Sequence, residues 1–333
     1  MTVRMVVLGT GRIGRMHAGF LARQVPGAEL VGLFDISDSA VALGAELGCR
    51  VATTLDEALA IDADAVAICT STDTHVDIMV AAAEAGRAIF SEKPLSLNLE
   101  EVDRGLAAVD TAQVPLHVGF NRRFDPSHKA VATAVADGTV GDVHICKITS
   151  RDPSPPPIGY IEVSGGIFCD MTIHDFDMAR YVTGREVESV YATGQVRVDP
   201  AIGAAGDLDT AVVVLNHEGG AITTIDNSRQ AVYGYDQRVE AFGAKGMASS
   251  NNFHDSNGVV AVEGGFQQPP LQHFFLERYA RSYLDQWAAF VAAIETGGPM
   301  PITGADGRAP LVIGLAAWKS VREGRPVRCA EIG

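Results

Sequence analysis

"VVLGTGRIG", residues 6–14, sets Gly9, Gly11 and Gly14 in a G-x-G-x-x-G spacing directly behind an apolar run. Such a turn between a strand and a helix lets the backbone approach a pyrophosphate, which then rests on the helix N-terminus. The spacing alone is weak, because glycine-rich turns are common. Its surroundings decide the matter. The run "RMVVLG" (4–9) precedes it, a helical pattern over 13–23 follows, and Asp35 closes the next apolar run 21 residues past Gly14. In that context the pattern predicts a dinucleotide-binding turn. Further out, "AELVGLFD" (28–35), "DAVAICTS" (64–71), "RAIFSE" (87–92) and "PLHVGF" (115–120) alternate with helical stretches such as 76–85 and 99–109. Continuous apolar strands suit a parallel sheet covered on both faces. Strand, helix, strand in repeated order predicts a doubly wound Rossmann domain.

After about residue 125 the pattern changes. "SVYATGQVRVD" (189–199) alternates Val190, Ala192, Val196 and Val198 with polar residues, the mark of a strand with one wet face. "DTAVVVLNHEGGAITTIDNS" (209–228) reads as a hairpin around 218–220, and "QRVEAFGAKGMASSN" (237–251) as a second strand pair. The expected architecture is therefore α/β. An NAD-binding Rossmann domain over 1–122 precedes an α+β domain over 123–333 with a large, mostly antiparallel open sheet. The last helices, near 277–296 and 305–323, are expected to pack back on the rest.

Composition narrows the function classes. With 333 residues, 47% hydrophobic and 20% charged, the chain can bury a sizeable core. No apolar run approaches the roughly 18 residues of a membrane span. The glycine motif starts at Gly9, leaving no room before it for a cleavable leader, so a cytoplasmic protein is expected. A net charge of −15 argues against nucleic acid. The five cysteines form no CxxC pair and read as buried thiols; no His/Cys/Glu cluster has metal-ligand spacing.

Three places carry chemistry. Asp35 at the end of the second strand would accept hydrogen bonds from the adenosine ribose and repel a 2′-phosphate, which predicts NAD over NADP; alternatively it caps the helix starting near Ser37. In "FSEKPLS" (90–96), Lys93 follows a strand at its carboxyl end, where ligands of such sheets bind; a lysine there can also be plain surface. In "GGIFCDMTIHDFDMARYVTG" (165–184), Asp170 and His174 are four apart, on one face of one predicted helix closed by Gly184, with Phe176, Ala179 and Val182 as its packing stripe. A carboxylate one turn from an imidazole can set its tautomer for acid–base work, or simply form a satisfied polar face.

Taken together, "GTGRIGRMHA" (9–18), "EKP" (92–94), "GFNRRFDP" (119–126), "DMTIHDFDMARY" (170–181) and "YGYDQRVEAFGAKG" (233–246) resemble the glucose–fructose oxidoreductase/inositol dehydrogenase (Gfo/Idh/MocA) family over essentially the whole chain, most of all its myo-inositol 2-dehydrogenases. The resemblance implies NAD-dependent oxidation of a ring hydroxyl of myo-inositol to an inosose. Another inositol isomer or a pyranose remains open, as does a non-catalytic NAD-bound sensor. It implies a catalytic trio of Lys93, Asp170 and His174, with either His174 or Lys93 as the base. Substrate contacts would come from Arg122, Asp152, Tyr233 and Tyr235 beside that trio. Cofactor contacts would come from Gly9, Gly11, Arg12, Ile13, Gly14, Asp35, Thr70, Ser71, Thr72, His75, Glu92 and Lys93. Some relatives carry histidine and asparagine where this chain has Ser150 and Asp152, a departure that bears on the hydroxyl pattern recognised. The resemblance further implies a cis Lys-Pro bond and a homotetramer built on the open sheets, while the lack of ligand spacing leaves no metal expected.

Overall fold

The computed structural model describes residues 2–333. Two compact units emerge: the chain up to Phe120 together with Tyr283–Ala309, and Asn121–Ser282 together with Pro310–Gly333.

The first unit is built on strands β1 (Val3–Leu8), β2 (Ala28–Phe34), β3 (Arg50–Ala52), β4 (Ala65–Ile68), β5 (Ala88–Ser91) and β6 (Leu116–Val118), in the order β3-β2-β1-β4-β5-β6. Every pair is parallel. Strand order reverses between β1 and β4, the switch point at which such sheets bind ligands. β4 and β5 are buried along their whole length, as expected for strands covered on both faces. The edge strand β3 was not foreseen; three residues are too few to show a period. Helices Arg12–Arg23, His75–Glu84 and Leu99–Ala112 lie where the pattern places them. Met5, Val7, Leu21, Leu33 and Phe90 pack with Trp287 and Phe290 to form this unit's core.

In the second unit, β7 (Val143–Arg151), β8 (Val187–Gln195), β9 (Thr210–His217), β10 (Ile222–Ser228), β11 (Asp236–Gly243) and β12 (Gly246–Ser250) form the main sheet; β13 (Val260–Val262) and β14 (Gly265–Gln267) make a separate hairpin. With β15 (Val327–Arg328) the order is β12-β11-β7-β10-β9-β8-β15. β7 and β10 run parallel and the other neighbours antiparallel. One face carries Val190, Ala192, Val213, Leu215, Ile225, Val239 and Ala241 against Phe168, Phe176, Ala179 and Val182. The other leaves Ile145, Tyr191, Val212, Ile222, Phe242 and Met247 substantially exposed.

Two expectations are corrected here. β8 stops at Gln195, so Val196 and Val198 are not strand residues. The Asp209 carboxylate accepts the backbone N–H groups of Arg197, Val198 and Asp199 at 2.7, 2.8 and 3.1 Å, taking those donors from the ladder. The stretch 165–184 is also not one helix but two, Gly166–Asp170 and Ile173–Thr183. Thr172 lies at the break; its hydroxyl bonds the Ile167 carbonyl at 3.1 Å and Asn227 Oδ1 at 2.7 Å. Asp170 and His174 therefore belong to successive helices. Gly184 closes the second with φ 64°, and Phe176, Ala179 and Val182 are buried as expected. Cys69, Cys146 and Cys169 are buried thiols, whereas Cys49 and Cys329 are only partly covered. Among the described residues, no helix is long and apolar enough to cross a membrane, and no group of side chains has metal-binding geometry.

Candidate functional site

In the first unit the glycines divide the work. A Cβ on Gly14 would lie 2.0 Å from the Gly9 carbonyl oxygen, so only glycine lets the helix start this close to the strand. A Cβ on Gly11 would meet nothing within 4 Å, and the helix it caps carries no side-chain cap there. The fold itself therefore does not require a glycine at that position, and its openness leaves the helix N-terminus accessible. Arg12 is exposed beside it and Ile13 half-buried.

Asp35 is not a helix cap. Its Oδ2 accepts the Thr10 N–H and hydroxyl at 2.5 and 3.0 Å, and its Oδ1 the Ser37 N–H and hydroxyl, both at 2.8 Å. Burial favours the neutral acid, but these bonds outweigh it and hold the pKa below its ordinary value. The carboxylate thus stands as a fixed anion at the end of β2, with two rotatable hydroxyls among its donors.

After β4, Thr70, Ser71 and Thr72 enter a short turn in which the Thr74 hydroxyl bonds the Thr70 hydroxyl at 2.7 Å. His75 is buried with Nδ1 2.9 Å from the Pro94 carbonyl and Nε2 3.1 Å from that of Thr70. Burial lowers its pKa in spite of both carbonyls. Its ring therefore braces the turn after β4 against the segment after β5, a role the sequence did not reveal. The Lys93-Pro94 bond is cis, Lys93 is partly exposed, and Glu92 is buried.

The second unit holds a polar cluster. Arg122, in the short 3-10 turn Asn121–Phe124, donates to Asp175 Oδ1 at 2.7 Å and reaches the Tyr235 hydroxyl at 3.4 Å. Burial works against its charge, yet Tyr279, Tyr235, Asp175 and Asp152 outweigh it and raise the pKa. Asn227 donates to Asp175 Oδ2 at 2.8 Å and ties in Thr172. The fully buried Arg229 spans two carboxylates, Asp170 Oδ2 at 3.3 Å and Asp207 Oδ2 at 3.1 Å, while the Tyr160 hydroxyl donates to Asp170 Oδ1 at 2.8 Å. Asp152 is pushed up to about 7, first by burial and then by neighbouring Asp170, against the pull of Arg122 and Arg229. His174, half-buried, lies in the first turn of the helix Ile173–Thr183.

Tyr233 is placed apart from this cluster. Successive strand residues face opposite sides, so Ser150, Asn227 and Gln237 turn toward Arg122 while Arg151 and Asp226 turn away. Tyr233 joins the latter set: its hydroxyl donates to Asp236 at 2.7 Å and accepts from Arg151 at 2.9 Å, beside a cleft of about 590 Å³. Tyr160, Asp175, Asp207, Asn227 and Arg229 were missed. The one available signal was "DNSRQ" (226–230), a run of five polar residues at the end of a predicted strand.

Comparison with known proteins fits both halves. Residues 3–120 match the oxidoreductase family with an NAD-binding Rossmann fold, and residues 128–249 match the GFO/IDH/MocA C-terminal domain. A myo-inositol 2-dehydrogenase of Thermotoga maritima is 47% identical over 99% of both chains. The crystal structure of a putative myo-inositol dehydrogenase from Sinorhizobium meliloti superposes with a TM-score of 0.95 at 47% identity, covering 98% of this chain and 100% of that one. A scyllo-inositol dehydrogenase from Lactobacillus casei, with bound NAD(H) and scyllo-inositol, has a TM-score of 0.93 at 29% identity, with coverage of 99% and 100%.

Proposed function

Because this chain belongs to the GFO/IDH/MocA oxidoreductase family, we propose that it oxidises one ring hydroxyl of myo-inositol to an inosose, with NAD as acceptor. The observation that carries the substrate reading is the cluster in the second unit. Guanidiniums of Arg122 and Arg229 alternate with carboxylates of Asp152, Asp170 and Asp175, with Tyr235 at hand. A neutral ring whose every carbon carries a hydroxyl needs this mixture of donors and acceptors, and a site so built rejects analogues that leave its groups unpaired. An inositol isomer such as scyllo- or chiro-inositol meets the same chemistry and differs only in which way one hydroxyl points; a pyranose is the next alternative. A sensor without catalysis would have no use for Lys93, Asp170 and His174 together.

The proton chemistry falls to the chain's own residues. His174 accepts the hydroxyl proton; Asp170, held by Tyr160 and Arg229, stabilises the imidazolium that results. Lys93 hydrogen-bonds the developing alkoxide. When bound, NAD supplies the acceptor for the hydride leaving the carbinol carbon. In the rival assignment Lys93 is the base and His174 positions substrate. Gly9, Gly11, Arg12, Ile13, Gly14, Thr70, Ser71, Thr72, His75 and Glu92 border the cofactor, and Asp35 selects NAD. We further propose that a second copy covers the exposed face around Ile145, Tyr191, Phe242 and Met247, where Tyr233 lies, in a cytoplasmic homotetramer.

Cofactor reduction followed by absorbance, with NAD or NADP against a panel of inositols and hexoses, tests the reading. Turnover of myo-inositol with NAD supports it. Activity confined to linear alcohols or 2-hydroxy acids overturns the substrate class. An acidic limb in the kcat profile that vanishes in His174→Ala supports the histidine base; one that survives there and vanishes in Lys93→Ala moves the role to lysine. A monomer by light scattering overturns the assembly.

A further inference from the structure

The first unit contains a buried polar chain whose inner members, His17 and Trp287, the reaction as described does not use. His17, in the helix Arg12–Arg23, is fully buried. The rings of Phe90, Tyr283 and Trp287 surround it edge-on, with centroids at 5.4, 5.6 and 5.3 Å. The Trp287 indole nitrogen lies 2.9 Å from His17 Nδ1, and an indole N–H can only donate. Nδ1 therefore presents a lone pair and the ring proton sits on Nε2. That N–H donates to Glu92 Oε1 at 2.9 Å. The tautomer of His17 is set from one side and used on the other.

Packing alone does not call for this arrangement. A phenylalanine would fill the aromatic cage, and burying a carboxylate carries a large desolvation cost unless its bonds are well made. What the arrangement achieves is the confinement of Glu92. On its other side stands Gly119, whose N–H bonds the Ser91 carbonyl at 2.8 Å. A Cβ built on Gly119 would lie 3.1–3.2 Å from the Glu92 carboxyl atoms, so that position keeps room for the carboxylate. The residue that follows Glu92 in the chain is Lys93.

We propose that His17 is a positioning residue for the redox step: with its tautomer set by Trp287, it holds the Glu92 carboxylate and, through it, the segment that presents Lys93. The inference rests on the catalytic reading of Lys93. It treats Trp287, His17 and Glu92 as one unit, in which the first member acts on the reaction without touching substrate.

The test uses the full-length enzyme with NAD and myo-inositol. His17→Leu removes the donor; His17→Gln returns an N–H near the Nε2 position; Trp287→Phe keeps the packing and removes the indole N–H. His17→Leu is expected to lower kcat by about tenfold or more with the KM for substrate and the Kd for NAD little changed, and His17→Gln to recover most of that loss. Nitrogen NMR of histidine-labelled protein should show His17 as the Nε2–H tautomer, and Trp287→Phe should mix the tautomers and lower kcat several-fold. A wild-type Nδ1–H tautomer overturns the proposal, and so does a kcat unchanged in both His17 variants. Equal loss of thermal stability in both variants with unaltered kcat marks a purely structural role and also overturns it. If His17→Leu does not fold, Trp287→Phe and the tautomer measurement still decide. Lys93→Ala, run in parallel, separates the two readings. Turnover retained there removes the catalytic role of Lys93, whereas turnover lost there but kept in the His17 variants refutes the positioning role alone.

Discussion

The two units reach their chemistry by different routes. In the first, the candidate groups sit at the ends of strands and in the turns that follow: Gly9 to Gly14 after β1, Asp35 after β2, Thr70 after β4, Lys93 after β5. Each is placed first by the turn it stands in, with one or two distant partners added, Thr10 for Asp35 and His17 for Glu92. In the second, Arg122, Asp175, Asn227, Arg229 and Asp207 come from segments tens of residues apart and are held by one another. A site built from local turns can be read from a string of residues. A site built from mutual charge pairing exists only once the sheet has closed.

The sharpest way to break this contrast is to remove a charge from the second unit. Arg229→Leu leaves Asp170 and Asp207 without their shared guanidinium and should cost about 3–5 kcal/mol in unfolding free energy, measured by denaturant titration. A loss below 1 kcal/mol would show that the cluster is not mutually supporting. Next in size, Lys93→Ala and His174→Ala should each lower kcat by roughly a hundredfold or more, with NAD binding, followed by fluorescence, retained. Near-normal turnover in both would remove the trio from the chemistry.

Smaller, and specific to the second unit, is a pH effect. Asp152 is raised from an ordinary 3.8 to about 7, so the folded state holds a proton that the unfolded chain releases. That contribution is full below pH 3.8 and is lost as pH rises through about 7. Allowing for partial solvent exposure, the loss is on the order of 2 kcal/mol. Asp152→Asn should flatten this slope in denaturation measured from pH 5 to 8; an unchanged slope would contradict the burial assigned to it. The smallest effect is expected in the first unit. Asp35→Ala gives up a charged acceptor and a repulsive charge. Its preference for NAD over NADP in kcat/KM should fall by about tenfold or more. An undiminished preference would move cofactor selection to other residues.

What was legible follows the same line. The doubly wound order, the glycine turn, Asp35 and the hairpin around Glu218–Gly220 were readable, because each rests on a period or on a turn residue within one stretch. Strand β7 was not anticipated, since its pairing with β10 links residues 77 positions apart, as at Thr149 and Asp226. Helix periodicity placed Asp170 and His174 on one face, but the chain breaks into two helices around Thr172, whose hydroxyl bonds Ile167 and Asn227. His17 lay in plain view inside "GTGRIGRMHA", and nothing local could tell that Trp287, 270 residues away, would choose its tautomer.

By itself, then, the sequence determined the doubly wound class of the first unit, the position of its glycine turn and a set of candidate groups for proton chemistry. These depend on short-range sterics: which residues tolerate the turn, which apolar runs must be buried, which side chains titrate. The tertiary structure alone decided which charges neutralise one another, which face of the second sheet Tyr233 and Tyr235 occupy, and which ring nitrogen of His17 carries its proton. Those outcomes depend on burial and on partners distant along the chain. Desolvation and hydrogen bonding act only between groups that folding has already brought together.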